Sequence, residues 1–250
     1  MKDSLYNYLL MLGDNSMILG HRLSELCGHG PSLETDIALT NISLDLFGQV
    51  RSYFQYAAEL QGKETSEDTI AFLRKERNYL NVVLVEQPNA DFAHVIVRQF
   101  LFDVYHSLLL SELLSSSDER IAAIAAKSIK ESKYHKRFSS EWVKRLGAGT
   151  EESHSKMQSA VNHMYPFAEE FFSMTEVEKE MHEVGIGPDL ESMKKTYYQQ
   201  VHDILNEATL SFEDLKPRVV NGKKGMHSEH MGYVLNELQY MQRAYPNMEW

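Results

Sequence analysis

Cysteine, proline and long apolar runs are scarce in this sequence of 250 residues. Its single cysteine, Cys27, excludes a disulfide framework and any zinc or iron–sulfur site built from cysteine ligands. One thiol without a partner is typical of a reducing compartment, so we expect a cytoplasmic protein. No run of about 18 apolar residues is present, and we therefore expect no membrane-spanning helix. The polar N-terminal residues also lack the pattern of a signal peptide.

Basic residues are outnumbered, because 25 Lys and Arg against 36 Asp and Glu give a net charge of −11. Binding to nucleic acid depends on neutralising phosphates, so this balance argues against nucleic acid as the main partner. The charge is also segregated: segment 127–145 has seven bases and two acids, and segment 169–191 has eight acids and one lysine. Such segments are most often solvated faces, but they also suit docking to a partner of complementary charge.

The apolar residues recur with a helical period along nearly the whole chain. The pattern predicts four long helices, with approximate bounds 5–26, 32–61, 91–113 and 118–146. A short charged helix is expected between the second and third, and apolar segment 82–85 is expected to be extended chain or a helix end. Four long helices with short or moderate links are typical of an antiparallel four-helix bundle.

The last third of the chain is also helical but is more often interrupted. A helix is expected over about 151–172, with a kink at Pro166 because proline removes a helical hydrogen bond. Further helices are expected over about 175–185, 188–210 and 228–243. No repeat of about 20–50 residues is present. We therefore predict one all-α domain over 1–250, in which a bundle at about 4–146 carries accessory helices at about 151–243.

A long four-helix bundle raises the question of a di-iron centre. Such centres take a Glu from each of two helices and a Glu-x-x-His from each of the other two, because residues three apart share a helix face. The second helix has Asp45, but Gly48 stands in the histidine position. The fourth helix has His135, but Ser132 stands in the carboxylate position.

The third helix offers Asp103 and His106 at the required spacing, but this pair stands alone. On the first helix, the stripe of leucines is expected to face the bundle interior, and the only polar residues on it near the middle of the helix are Asn15 and Ser16. Asp14 is adjacent but lies off that stripe. About four carboxylates and two histidines are needed, so the ligand set is incomplete.

We therefore expect a buried polar network in place of a metal centre. Buried carboxylates need partners, so Asp45 and Asp103 are expected to meet His106, His135 or a nearby Lys or Arg. A working di-metal site stays open as an alternative, if the helix registers differ from these assignments.

The C-terminal region contains two histidines, His227 and His230, with Glu229 between them. A zincin site needs histidines four apart with a Glu beside the first, and this pattern does not match. The simpler interpretation is a helix start, with Ser228 as the cap and Glu229 in the first turn.

Just upstream, Lys223 and Lys224 lie between two glycines and directly before that helix start. Such a turn is a plausible anion cradle, although it lacks the spacing of a nucleotide-binding motif. An acyl-CoA phosphate or a carboxylate of a partner would fit it. The candidate contacts to a partner or to CoA are therefore Lys223, Lys224, His227, Glu229 and His230. An exposed turn without a ligand is the simpler alternative.

Several stretches together resemble one protein family. They are LGDN at 12–15, DLFGQ at 45–49, VEQPN at 85–89, AKSIKE at 126–131, NEAT at 206–209, GKKGMHSEHMG at 222–232 and ELQYMQR at 237–243. Over essentially its whole length, and in order, the chain is similar to the C subunit of ring-1,2-phenylacetyl-CoA epoxidase, a bacterial multicomponent monooxygenase.

The resemblance implies a ferritin-like fold and a structural role in aerobic phenylacetate catabolism. A homologous catalytic A subunit would hold the di-iron centre, and a reductase subunit with FAD and an iron–sulfur centre would deliver electrons from NADPH. This chain would carry no cofactor and no catalytic residue of its own, and would assemble with the A subunit and other subunits. Alone, we expect it to form a homodimer. The alternatives are an autonomous di-iron or di-manganese oxidase and a ferritin-like metal-binding protein.

Overall fold

A computed structural model describes residues 1–62, 65–246 and 248 of the chain. The described residues form nine α-helices: α1 (Lys2–Ser24), α2 (Leu33–Gln61), α3 (Glu67–Phe72), α4 (Phe92–Leu113), α5 (Glu119–Gly147), α6 (Glu151–Met164), α7 (Glu176–Glu183), α8 (Leu190–Glu207) and α9 (Glu229–Ala244). Four 3-10 helices lie at Glu76–Asn78, Val83–Glu86, Tyr165–Phe172 and Gly222–Lys224. The all-α prediction is confirmed. Of these described helices, none is long and apolar enough to cross a bilayer.

Two helical hairpins make up the bundle. The first pairs α1 with α2 through loop 25–32, and the second pairs α4 with α5 through loop 114–118. The hairpins meet along a seam between α2 and α5, while α6 and α8 cover α4. Each of the nine described helices contributes to one continuous hydrophobic cluster, so the accessory helices share the core of the bundle.

The long helices start where the sequence places capping side chains. The Ser32 hydroxyl accepts a hydrogen bond from the Thr35 amide at 3.3 Å, and the Asp91 carboxylate accepts one from the His94 amide at 2.8 Å. These bonds satisfy backbone donors that have no partner inside the helix. Local chemistry therefore sets the observed bounds close to the predicted ones.

Two helices are shorter than the sequence predicts. The helix expected over 151–172 ends at Met164, and the chain continues as a 3-10 helix from Tyr165. Pro166 explains the change, because it supplies no amide for the helical ladder and crowds the preceding turn. At the end of α8, Thr209 takes a φ of 59°, so the helix ends at Glu207 rather than near 210.

The apolar segment 82–85 is expected from its sequence to be extended chain or a helix end; only Val82 is extended, and the other three residues lie in a buried 3-10 helix. Its backbone amides need acceptors, because no strand runs beside it among the described residues. Asn15 Oδ1 accepts from the Val82 amide at 2.8 Å, and Glu170 Oε2 accepts from the Val83 amide at 2.7 Å. Polar side chains of the bundle and of the accessory region thus hold this segment.

Asp14 corrects the sequence-based assignment of α1, because its side chain is fully buried rather than off the inward stripe. It forms a two-point ion pair with Arg74, in which Arg74 Nη1 lies 2.9 Å from Asp14 Oδ2. The same carboxylate accepts from the Leu80 amide at 2.8 Å. The Arg74 guanidinium also lies 4.1 Å from the centre of the Tyr79 ring. This pair ties the link between α2 and α4 to the first helix.

We expect Arg74→Met to lower the free energy of unfolding by about 3–5 kcal/mol, because it leaves a buried carboxylate without its counter-charge. Urea denaturation of the purified variant measures this change. Arg120→Met is the matched control, since Arg120 pairs with Glu59 on the exposed surface and exposed pairs contribute little. Equal losses in the two variants would contradict the assignment.

Candidate functional site

The middle of the bundle contains a polar network on α4 and α5. Asp103 is 1% exposed and accepts hydrogen bonds from Gln99 Nε2 and from Ser139 Oγ, both at 2.7 Å. Burial raises the pKa of Asp103 to about 8, against the opposing effect of these two bonds. The side chain is therefore mainly a neutral acid at pH 7. The expectation that Asp103 meets a histidine or a cation is wrong, because an amide and a hydroxyl solvate it instead.

His106 lies one turn after Asp103 and is also buried, with its ring 5.0 Å from the Phe102 ring. Burial, with a smaller contribution from nearby His135, lowers the pKa of His106 to about 3. Its Nδ1 atom has no hydrogen-bond partner among the described residues. The Asp-x-x-His pair in the middle of α4 thus consists of two groups that burial keeps neutral.

The second pair joins α2 to α5, where His135 Nε2 lies 2.9 Å from Asp45 Oδ2. His135 is fully buried, but the Asp45 side chain is 35% exposed. Gly48 is exposed as well, and a Cβ atom built on it would meet nothing within 4 Å. Ser132 is buried opposite, and its hydroxyl has no partner in the described part of the chain. Asp45 and Gly48 therefore lie at the edge of the bundle, not on its inward stripe as predicted.

This donor set does not fit a di-iron centre. Across the described residues, no group of three or more His, Cys, Asp or Glu side chains is placed to hold a metal ion. Asp103 would have to lose a proton and release Gln99 and Ser139 before it acted as a ligand. Hard divalent cations prefer several ionised oxygen ligands. Apart from Asp103, the motif positions on α2, α4 and α5 provide one carboxylate, Asp45, which lies at the edge of the bundle.

Lys223 is buried, which corrects the prediction of an anion cradle at this residue. Its ammonium lies 2.8 Å from Glu178 Oε1 and donates to the Phe171 carbonyl oxygen at 3.2 Å, and its side chain is 5% exposed. The Lys223 amide points to Glu170 Oε1 at 3.3 Å. Of the two lysines, only Lys224 is exposed to solvent. The turn therefore uses its first lysine to hold α7.

The histidine that follows this turn is part of a second buried network. His227 lies between Glu86 Oε1 at 2.6 Å and the Tyr79 carbonyl oxygen at 2.9 Å. Burial is the largest single effect and opposes a charge on His227, but the bond to Glu86, the charge of Glu86 and the Tyr79 carbonyl oxygen together raise the pKa. Ser228 occupies the N-cap position of α9 as predicted, but its hydroxyl donates to Glu86 Oε2 at 2.6 Å and makes no capping bond to the helix.

The other two residues of this stretch lie at the surface. Glu229 is exposed, and the carbonyl oxygen of half-buried His230 lies 3.3 Å from Arg22 Nη2. Both line an open depression of about 710 Å³, together with His163 and Arg218. Their contact with a ligand or a partner stays a prediction.

The glycines around the lysines have a packing role that the sequence pattern did not reveal. A Cβ on Gly222 would collide with the Asn81 carbonyl oxygen, and one on Gly225 would collide with the Arg77 carbonyl oxygen. Gly225 also has a φ of 72°, which favours glycine. The glycines let the turn approach the 76–86 segment closely, so they indicate contact between backbones rather than a phosphate site.

Two buried acids that complete these networks were missed in the sequence. Glu86 follows the buried apolar segment 82–85 directly, and a charged residue at the end of such a run is a signal of a paired interior acid. Glu178 stands three residues after Thr175, in a capping box, and its carboxylate also reaches Lys223. The local sequence pattern predicts the capping box, but it does not predict the contact between Glu178 and Lys223.

Comparison with known proteins gives two findings. The family described as phenylacetic acid catabolic protein matches residues 1–250. The chain is 47% identical over 248 residues to the C subunit of 1,2-phenylacetyl-CoA epoxidase from Escherichia coli (strain K12), an alignment that covers 99% of this chain and 100% of that protein.

We expect Asp103→Asn to flatten the decline in stability between about pH 4 and about pH 8. The folded pKa of about 8 lies above the ordinary value of 3.8. The proton held by Asp103 therefore contributes stability that is fully present below pH of about 4 and is lost as the pH rises through about 8. Melting temperatures from about pH 4 to about pH 9 measure the effect. Exposed Asp203→Asn is the control and keeps the wild-type profile; an identical profile for Asp103→Asn would show that Asp103 is ionised.

We expect Lys223→Met and Lys224→Met to differ strongly. The first leaves buried Glu178 without its counter-charge and lowers the free energy of unfolding by about 3–5 kcal/mol, whereas the second removes an exposed charge. Thermal unfolding of both variants measures the difference. A loss of acyl-CoA affinity in Lys224→Met at unchanged stability would support the anion site that the sequence predicts.

Proposed function

This chain belongs to the phenylacetic acid catabolic protein family, and we propose that it serves as a structural subunit of a phenylacetyl-CoA epoxidase. The similarity to a protein named as the C subunit of that enzyme, over nearly the full length of both chains, supports the assignment. One observation carries the supporting rather than catalytic role: neutral Asp103 is hydrogen-bonded to Gln99 and Ser139 where a di-iron bundle needs ionised ligands.

The chemistry then belongs to other subunits. A homologous catalytic A subunit holds the di-iron centre, and a reductase subunit with FAD and an iron–sulfur centre delivers electrons from NADPH. The chain has no cofactor of its own and works in the cytoplasm. A second copy of the same chain takes the place of the partner when the protein is isolated.

An inactive homologue is useful to a catalytic bundle for a physical reason. Ligand carboxylates crowd like charges into a low-dielectric core and destabilise the helices that carry them. A displacement of about 1 Å at the reacting centre costs about 100-fold in rate. A homologous partner that carries no ligand carboxylates stiffens the catalytic helices by packing along them. Such obligate pairs bury about 2,000 Å² or more.

Neither alternative function is favoured by the contacts. An autonomous di-iron or di-manganese oxidase needs ionised carboxylates facing each other, but Asp103 is neutral in the interior and Asp45 lies at the edge of the bundle. A ferritin-like metal-binding protein needs carboxylates that lead metal ions inward, and α4 and α5 instead present amides and hydroxyls.

Co-expression with the catalytic subunit, followed by metal analysis of each separated chain, tests the proposal. We expect about two iron atoms in the catalytic subunit and close to none in this chain, because its donor set is incomplete. The epoxidation rate is expected to fall sharply when this chain is left out. About two metal atoms per copy of this chain would support an autonomous enzyme, and full activity of the catalytic subunit alone would contradict the supporting role.

A further inference from the structure

The seam between α2 and α5 contains two carboxylates that, among the described residues, have no lysine or arginine partner within 4.0 Å. Asp45 on α2 is 35% exposed, and Glu131 on α5 is partly exposed beside it. Among the described residues, the only base within 4.0 Å of either carboxylate is His135, and burial lowers the pKa of that imidazole. The seam therefore concentrates negative charge on two facing helices.

Nearby cations do not neutralise this charge. Burial and the charge of Asp45 both raise the pKa of Glu131, and Lys127, one turn earlier on α5, opposes them with a weaker effect. Arg51 on α2 is 73% exposed and lies 3.8 Å from Glu67, on the side of α3. A like-charged pair of this kind favours a cation brought from outside.

The floor of the seam has polar groups without partners. Gln49 is 2% exposed, and neither polar atom of its amide makes a well-formed hydrogen bond, although the amide lies beside Glu131 and lowers its pKa. The Ser132 hydroxyl is fully buried and also has no partner in the described part of the chain. Buried polar groups are costly when unpaired, so the interior beneath Asp45 and Glu131 offers these carboxylates no strong internal cation.

Open space and apolar edges surround these groups. Gly48 lies one turn after Asp45, and its missing side chain leaves the approach free, since a Cβ there would meet nothing within 4 Å. Leu33, Ile37 and Leu44 form an exposed stripe on α2, 72%, 50% and 61% exposed. Their spacing of four and seven residues places them on one helix face, which continues to Gly48. We call the surface formed by Asp45, Gly48 and Glu131 the notch. Charged groups bordered by apolar side chains, as here, are typical of binding hot spots.

We propose that the notch at Asp45, Gly48 and Glu131 receives a lysine or arginine side chain from a helix of the catalytic subunit that packs along the exposed stripe of α2. The inference rests on the proposed function, which supplies the identity of the partner. An arginine fits best, because its planar guanidinium donates to two carboxylates at once. The absence of a side chain at Gly48 leaves room for the stem of that arginine.

Filling the notch is the sharpest test. A Cβ at Gly48 meets no atom within 4 Å and leucine is a better helix former than glycine, so Gly48→Leu is expected to preserve folding. The Kd for the purified catalytic subunit, measured by isothermal titration calorimetry, is expected to rise by about 30-fold or more, which equals about 2 kcal/mol. Gly232→Leu on α9 is the matched control, because Gly232 is also helical and exposed and a Cβ there has no neighbour closer than 3.7 Å.

Removing the charge is the second test. The double variant Asp45→Asn with Glu131→Gln is expected to weaken binding by a similar factor and to reduce its dependence on salt. Glu119→Gln, which removes an exposed acid from the first turn of α5, is the control and is expected to bind as the wild type does. Melting temperatures show whether the double variant stays folded.

The outcomes separate this inference from the proposed function. If the wild-type chain does not bind the catalytic subunit, the proposed function fails. If the wild type binds and the Gly48→Leu and charge variants bind equally well, only the notch inference fails. If these variants lose self-association in analytical ultracentrifugation but keep their affinity for the catalytic subunit, the occupant is a second copy, and the inference is overturned.

Discussion

Placing a carboxylate inside a helical bundle costs several kcal/mol unless a donor meets it, and the chain solves this problem in two ways. Some acids form an ion pair with a base from a distant segment, as Asp14 does with Arg74 and Glu178 does with Lys223. Asp103 instead gives up its charge and is solvated by neutral groups. The first solution fixes the accessory segments to the bundle, and the second leaves the bundle centre without charge.

These two solutions have opposite structural effects. An ion pair between segments about sixty residues apart, such as Asp14 with Arg74, determines where a connecting loop lies. A neutral network within two neighbouring helices, such as that of Asp103, determines only how α4 packs on α5. A di-iron bundle does neither, because its carboxylates are directed at metal ions. The chain thus uses ionised acids for architecture and keeps none at the centre for chemistry.

Much of the fold follows from local signals, whereas the site depends on contacts that local signals do not encode. Caps such as Ser32 and Asp91 and the helical period predict the long helices to within a few residues. Asp14 was misassigned because a stripe of leucines shows only which face meets other helices, while its partner comes from a loop. Lys223 was misassigned because flanking glycines indicate close approach of the backbone without showing what approaches.

The same contacts explain why the seam, rather than the C-terminal motif, is the better candidate for a binding surface. Lys223 and His227 are fully engaged with Glu178 and Glu86, so releasing them for a ligand would break the networks that hold α7 and the 76–86 segment. Asp45 holds no other segment in place; its one bond is to His135, and its side chain stays partly exposed to solvent. A group that the fold has not satisfied is available to a partner without loss of structure. The partly exposed carboxylates at the edge of the bundle are therefore the better candidates for contact with a partner.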